Sequence, residues 1–199
     1  MSNLVMLTPP TFRTAIQADA EAVADVYLTS RKQLVSFAPL VHSDEDVYRW
    51  IRESLIPRGQ VTVAQQEGKI IGMMALSTDE TAHWIDHLYV HPHSVGRGIG
   101  TKLVEGAKAV LGSPIRLYTF QANLGAIRFY ERHGFKAIAY GDGSGNEENC
   151  PDVLYEWRRF KHYLLQKCDL SLNMRSAESS SADAPNVATA SLTLSQNWS

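Results

Sequence analysis

Between residues 12 and 160 the apolar positions switch between a period of two and a period near 3.6, and the changes fall at glycines, prolines and capping residues. FRTAI at 12–16 reads as a strand, and DAEAVADVYLTS then sets Val23, Val26, Tyr27 and Ser30 at helical spacing. Ser43 and Asp46 make a capping-box-like start for a second helix, whose Val47, Trp50, Ile51 and Leu55 share one face until Pro57. VTVAQQEGKIIGMMAL has two apolar runs about a Glu67-Gly68 corner, which predicts an antiparallel hairpin, and WIDHLYV continues the strand pattern as far as Pro92. Ile99, Leu103, Ala107, Val110 and Leu111 recur at helical intervals until Gly112 and Pro114 end the run. IRLYTF is a further strand, Asn123 is a good N-cap for NLGAIRFYERH, and Gly134 is placed just past that helix's last turn. FKAIAY and VLYEW read as two closing strands around GDGSGNEENCPD. A strand, glycine-rich loop, helix and strand in that order make a crossover, so the middle of a mixed sheet is expected to be parallel.

The pattern stops at about Ser171. Eight of the last 29 residues are serine, with one arginine and two acids, and no amphipathic period survives. Such a segment has too little apolar surface to offset its ordering entropy. The expectation is therefore one domain over residues 1–170 and a disordered or loosely attached tail over 171–199, with a docking segment as the alternative for the tail.

The crossover loop reads VGRGIG at 95–100, directly before a helix. Gly96, Gly98 and Gly100 let a backbone turn tightly and let a ligand come close. The first turn of the helix leaves N–H groups unpaired and carries partial positive charge, a seat for phosphate to which Arg97 and Lys102 add charge. A tight strand-to-helix turn without a ligand is the other reading of the same glycines. The spacing matches neither GxGxxG nor GxxxxGK[ST], which argues against a dinucleotide or P-loop site.

Composition narrows the partners. The 199 residues, 44% hydrophobic and 20% charged, suit one globular domain with a real core. A net charge of -2, from 19 basic and 21 acidic residues, offers no basic field for nucleic acid and points to a small-molecule or protein partner. Cys150 and Cys168 show neither metal-ligand spacing nor a disulfide framework, which favours a reducing, cytoplasmic location. MSNLVMLTPP lacks a charged n-region and a long apolar h-region, and no apolar run approaches the ~18 residues that span a membrane. No membrane partner is expected.

With these residues in hand, the chain resembles the GNAT-type N-acetyltransferases, which transfer an acetyl group from acetyl-CoA to an amine. Their QxxGxG signature falls on Val95 to Gly100, just after a strand ending in LYVHP. A second block matches Asn123, Phe129, Tyr130, Gly134 and Phe135 in NLGAIRFYERHGF. The resemblance covers roughly residues 12 to 160. It implies an α/β fold with a mixed sheet of about seven strands, a splayed parallel central pair and about four flanking helices. It also implies acetyl-CoA as co-substrate, a small-molecule or peptide amine as acceptor, and a monomer or homodimer. The cofactor-binding positions it points to are Leu88, Val90, Val95, Gly96, Arg97, Gly98, Ile99, Gly100, Thr101 and Asn123. Loop amides would hold the pyrophosphate, and backbone groups near Leu88 and Val90 would hold the acetyl and pantetheine. The family's usual glutamine or arginine is Val95 here, so one side-chain contact is missing and weaker coenzyme binding is expected.

Acetyl transfer needs a neutral amine, a polarised thioester carbonyl and a proton for the departing thiolate. Helical spacing puts Asn123 and Tyr130 on one face. Tyr130 falls where the family often places a tyrosine near the coenzyme sulfur, and a phenol of pKa about 10 is protonated at neutral pH, so general acid is its expected role. A core aromatic with its hydroxyl at the surface is the alternative. Simple alternation on WIDHLYV puts Asp86, Leu88 and Val90 on one face and Ile85, His87 and Tyr89 on the other, unless a bulge intervenes. Asp86 or His87 can receive the amine's proton, directly or through water; a hydrogen-bonded edge carboxylate and a solvated histidine are the bland readings.

His83, His87, His91 and His93 do not suggest a metal, because residues four apart on a strand lie roughly 13 Å apart. Cys150 lacks a histidine partner in sequence and reads as a small hydrophobe. A non-catalytic acyl-CoA-binding module, or an acyltransferase using another acyl chain, fits the same glycine loop. The acceptor is not legible, although SFAPLVHSDED and GDGSGNEENCPD are the candidate acceptor loops and their acidic residues can draw in a cationic amine.

Overall fold

The computed structural model describes residues 8–159, so the expected tail at 171–199 and Cys168 lie outside the described residues. Seven strands form one sheet: β1 (Thr11–Thr14), β2 (Val61–Gln66), β3 (Lys69–Thr78), β4 (His83–Val90), β5 (Ile115–Phe120), β6 (Lys136–Gly141) and β7 (Asp152–Trp157). Their spatial order is β1-β2-β3-β4-β5-β7-β6, antiparallel throughout except for the central β4-β5 pair. Four helices flank it: α1 (Ala20–Leu34), α2 (Asp44–Trp50), α3 (Ile99–Val110) and α4 (Leu124–Arg132). The expected mixed sheet with a parallel centre is what forms.

Side chains alternate across the strands and divide the core in two. Val61, Val63, Met73 and Ala75 face α1 and α2, packing with Val23, Val26, Tyr27 and Trp50. Met74, Ile85, Ile115, Leu117 and Val153 face α3 and α4, packing with Leu103, Val104, Ala107, Tyr130 and Phe135. Period-two patterning dictates this division, since one sheet with helices on both faces must bury both sets of side chains.

Local chemistry fixes the element ends. Glu67 and Gly68 both take positive φ, the geometry of a two-residue hairpin turn. The Ser43 hydroxyl accepts from the Asp46 N–H, and Asn123 Oδ1 accepts from the Ala126 N–H, so both expected N-caps are made. Two details differ from the periodicity. The second helix is α-helical only to Trp50 and continues as a π-helical run, Ile51–Leu55, which keeps Val47, Trp50, Ile51 and Leu55 all buried. On α3 the buried stripe is Ile99, Leu103, Val104 and Ala107, while Val110 is 77% exposed because it has turned off the core face by the last turn.

The first strand is tied to α1 by one ion pair. Arg13 Nη1 and Nη2 donate to Asp19 Oδ2 and Oδ1 at 2.6 and 2.9 Å, and the Ile16 N–H donates to the same carboxylate at 2.8 Å. The pair fixes where α1 starts and therefore how its far end lies over the sheet. The Arg13 side chain holds the Asp19 carboxyl below the usual range, against the opposing effect of burial, with the Ile16 N–H helping. A lowered folded-state pKa stabilises fully above the unfolded value of about 3.8, and that contribution is lost as pH falls through the folded value. Asp19→Asn should cost about 1–3 kcal/mol at pH 7 in denaturant unfolding, and should lose less further stability than the parent between about pH 4 and pH 2. Parallel acid-stability curves for the two proteins would show that Asp19 carries no such linkage.

Candidate active site

β4 and β5 are hydrogen-bonded only at their beginnings, where His83 pairs with Ile115 and Trp84 with Arg116. On the other side, β4 pairs with β3 so that Leu76 faces Ile85 and Ala75 faces His87, which leaves Asp86 as an extra residue. This is a β-bulge, and it bends the strand away from β5. The Ser77 hydroxyl donates to Asp86 Oδ1 at 2.9 Å, on the face that also carries Trp84, and His87 packs against Tyr27 and Trp50. Asp86 and His87 thus share the α1 face, whereas Ile85, Leu88 and Val90 pack on the α3 face. Unbulged alternation would have separated Asp86 from His87.

The bulge also determines which backbone groups are left open. The His91 N–H donates to Ile71 on β3, so by antiparallel alternation His87 and Tyr89 turn their peptide groups toward β3, and Leu88 and Val90 turn theirs toward the gap. The Val90 carbonyl accepts from the Ser30 hydroxyl of α1 at 3.0 Å. The gap opens into a cavity of about 870 Å³ that passes between the strands, with α3 and α4 on one side and α1 on the other.

At the α3 end the cavity meets the glycine loop. Gly96 and Gly98 take φ of +80° and +78°, and beyond the adjoining residues no atom lies within 4 Å of where a Cβ would stand on either. Gly98 is the N-cap of α3, so the N–H groups of Ile99, Gly100 and Thr101, at the cavity wall, have no acceptor within the helix. Gly100 differs: a Cβ there would meet the Phe129 ring at 3.2 Å, so its lack of a side chain also lets α3 pack closely on α4. Val95 is 54% exposed at the rim. The Arg97 guanidinium turns away and donates to Gln66 Oε1 at 2.9 Å, and neither Arg97 nor Lys102 lines the cavity. Asn123, Leu124, Gly125 and Ala126, the start of α4, complete this end.

Three titratable groups meet the cavity's middle. Burial raises Asp86 to about 6, opposed by the Ser77 hydrogen bond and the Arg58 charge. His87 is reached from the cavity but is crowded by Tyr27, Trp50 and Tyr89, and this low-polarity surround lowers it to about 4, helped by the Arg31 charge. Burial pushes the Tyr130 phenol well up, with the neighbouring Tyr89 adding to it. The Tyr130 ring packs on Phe129, Phe135 and Tyr155 while the residue lines the cavity.

The far mouth was only partly anticipated. Of the acidic residues in the two candidate loops, Glu147 and Glu148 reach the wall. Asp44 pairs with Lys32, Asp46 with Arg49, Asp142 holds Ser144, and Asp152 holds Asn146. Arg31 and Tyr89 are wall residues that motif reading passed over. Arg31 carried a signal, since it lies four residues after Tyr27 on the buried face of α1, where an unpaired charge has no place. Cys150 packs against Val35, Ala38 and Phe120 and is not part of the wall. Among the described residues no group of three His, Cys, Asp or Glu side chains could hold a metal ion, and no helix is long and apolar enough to cross a membrane.

Comparison with known proteins agrees with this geometry. No curated protein sequence matches the chain. The solved structure of PaiA N-acetyltransferase from Thermoplasma acidophilum, in complex with coenzyme A, is similar at TM-score 0.60 and 24% identity, covering 76% of this chain and 100% of that one. YjaB from Escherichia coli is similar at TM-score 0.61 and 21% identity, covering 75% of this chain and 97% of that one. The yncA protein of Salmonella typhimurium, solved with its cofactor acetyl-CoA, is similar at TM-score 0.59 and 19% identity, covering 81% of this chain and 100% of that one. At these identities the likeness establishes the fold. The model of the acetyltransferase (GNAT) family matches residues 28–135, more than half of the 199, and takes in the second half of α1, the bulged strand, the glycine loop and α4: the chain belongs to the GNAT acetyltransferase family.

Proposed function

We propose that the protein transfers an acetyl group from acetyl-CoA directly to a primary amine of a small molecule or peptide. The observation that carries this reading is the opened β4-β5 pair, which joins a glycine-lined helix start on one side to Asp86 on the other. The site fits the coenzyme: Gly96 and Gly98 leave open, uncrowded backbone at the cavity wall, and the adjoining helix N–H groups are suited to a pyrophosphate. Acetyl-CoA, once bound, supplies an activated thioester.

The chain's own groups then have distinct tasks. Leu88 offers its backbone N–H and C=O, and Val90 its N–H, along the gap to orient the bound chain and the thioester carbonyl. Val95 leaves the loop without a side-chain contact to phosphate, so the amides carry that binding alone. As the amine nitrogen bonds to the acetyl carbon and the carbon–sulfur bond breaks, Asp86 takes the nitrogen's proton, directly or through one water, and the Tyr130 hydroxyl donates to the departing sulfur. Asp86 suits the base better than His87. A carboxyl near 6 is ionised at pH 7 yet holds a proton far better than an ordinary carboxylate, whereas an imidazole near 4 holds one poorly.

The sign of the pH dependence follows. The base must be ionised, so kcat/KM should rise as pH increases through about 6 and level off above it. Asp86→Asn should abolish that limb and lower the plateau about 10²-fold, the low end of general-base effects, whereas His87→Gln should leave the limb in place. A limb retained in Asp86→Asn would move the ionisation to the acceptor itself.

Tyr130→Phe keeps the packed ring and removes the donor. Turnover should fall about 10²-fold, with the dissociation constant for acetyl-CoA nearly unchanged by calorimetry. Equal turnover would return Tyr130 to a purely structural role, and coenzyme binding without turnover on any amine would identify a non-catalytic acyl-CoA-binding module.

The loop glycines separate in the same titration. Gly98→Ala should weaken acetyl-CoA binding and cost about 1–2 kcal/mol of stability through its positive φ. Gly100→Val should cost about 1–3 kcal/mol by driving into Phe129, so its effect on affinity follows lost packing. Unchanged affinity in folded Gly98→Ala would remove the pyrophosphate assignment.

A further inference from the structure

The glycine loop hangs between two buried anchors. Ser94 is 4% and Ile99 2% exposed, whereas Val95, Gly96, Arg97 and Gly98 between them are all exposed. Beyond the adjoining residues nothing packs where side chains would stand on the two positive-φ glycines, and Val95 lies open at the rim. Among the described residues these four make one side-chain hydrogen bond: Arg97 Nη2 donates to Gln66 Oε1 at 2.9 Å. Glycine loses more conformational freedom on ordering than any other residue, so this one bond bears directly on how well the loop keeps its shape before a ligand arrives.

Gln66 is a fixed partner for that bond. It ends β2 on the face that carries Ala64, which packs with the α3 residues, and it is 8% exposed. Its Nε2 donates to the Thr8 carbonyl, so backbone on one side sets the amide's orientation and leaves Oε1 to receive Arg97. Were the guanidinium to swing to a bound phosphate, the oxygen of a nearly buried amide would lose its donor, a cost that offsets the small gain from an exposed charge pair. The tether is therefore kept when ligand binds.

We infer that Gln66 is a positioning residue for the coenzyme: through Arg97 it holds the 95–98 loop in the shape that presents the N–H groups at the start of α3 to the pyrophosphate. The inference rests on the acetyl-transfer reading above and its pyrophosphate seat. It accounts for an arginine of the loop that does not line the cavity, and for a loop that keeps its form with an exposed valine at 95. A loop already in its bound shape binds more tightly because less freedom remains to be lost at association.

Calorimetric titration with acetyl-CoA of the parent protein, Gln66→Ala, Arg97→Ala and the double variant is the test. Gln66→Ala leaves the arginine's charge in place and removes only its partner, and should weaken binding about 5-fold or more. In the Arg97→Ala background the same change should have almost no effect, because the tether is already gone. Affinity in Gln66→Ala equal to the parent's, or tighter, overturns the inference, and the tighter result would mean that Gln66 holds Arg97 away from the phosphates. An equal loss in both backgrounds overturns it as well, since the effect would then run through the fold or through Thr8. If Gln66→Ala does not fold, Arg97→Ala at the exposed end of the tether decides: it should still bind several-fold more weakly than the parent at about 0.5 M salt, where exposed charge contacts are largely screened, and a loss that vanishes there marks a direct phosphate contact and overturns the tether. Binding is read without turnover, so a protein that binds acetyl-CoA but acetylates no amine still decides the matter. A parent protein that binds no acetyl-CoA ends the acetyl-transfer reading and this inference with it, whereas binding that ignores Gln66 ends this inference alone.

Discussion

Backbone polar groups inside a sheet must be paired, and in this protein the central strand pair is pulled apart just where pairing would normally continue. The extra residue at Asp86 bends β4 away from β5, so that the peptide groups of Leu88 and Val90 face a cavity instead of a neighbouring strand. One of the freed groups, the Val90 carbonyl, is satisfied by Ser30 of α1. The rest of the architecture follows from keeping that gap open: α1 props one side, α3 and α4 bring their N-terminal ends to the other, and Gly100 lets those two helices approach closely enough to do so.

The same opening sets the chemistry of the groups around it. Asp86 and His87 would lie on opposite faces of a regular strand; the bulge places them together, and their environments reverse their usual order of acidity. Burial acts on both by disfavouring the charged form, which raises a carboxyl and lowers an imidazole. The proposed base is therefore the group that burial brings toward the working range, and the group that burial takes out of it is left as an aromatic-like wall. Tyr130 is moved further from ionisation by the same effect, which keeps its proton in place for donation to the sulfur in the proposed reaction.

The far mouth of the cavity is organised by contacts between segments distant in sequence. Arg31 of α1 and Glu148 of the β6-β7 loop are 117 residues apart and meet at 3.0 Å, with His42 and Glu147 at 2.8 Å in a second pair beside them. Asn146 shapes that loop by bonding Cys150 and Asp152, and so determines that Glu147 and Glu148 project toward the cavity while Asp142 and Asp152 do not. Two loops with no periodicity of their own thus acquire a fixed relation through a handful of polar contacts.

Much of the fold was legible because it is written in local period and local caps. The hairpin at Glu67-Gly68, the caps at Ser43 and Asn123, the crossover through α3 and its glycine loop all depend on residues within a few positions of one another. The family blocks at 95–100 and 123–135 are legible for the same reason. What periodicity could not supply was register and direction. A bulge changes the face of Asp86 without altering its sequence neighbours, Arg97 turns to Gln66 rather than to the helix start, the missing Cβ of Gly100 makes room for Phe129, and Val110 turns outward. The sequence by itself determined the elements, their order and the family; the tertiary structure alone decided which side chains meet in the cavity, because those contacts depend on strand pairing and loop packing across more than a hundred residues, where no local spacing constrains the outcome.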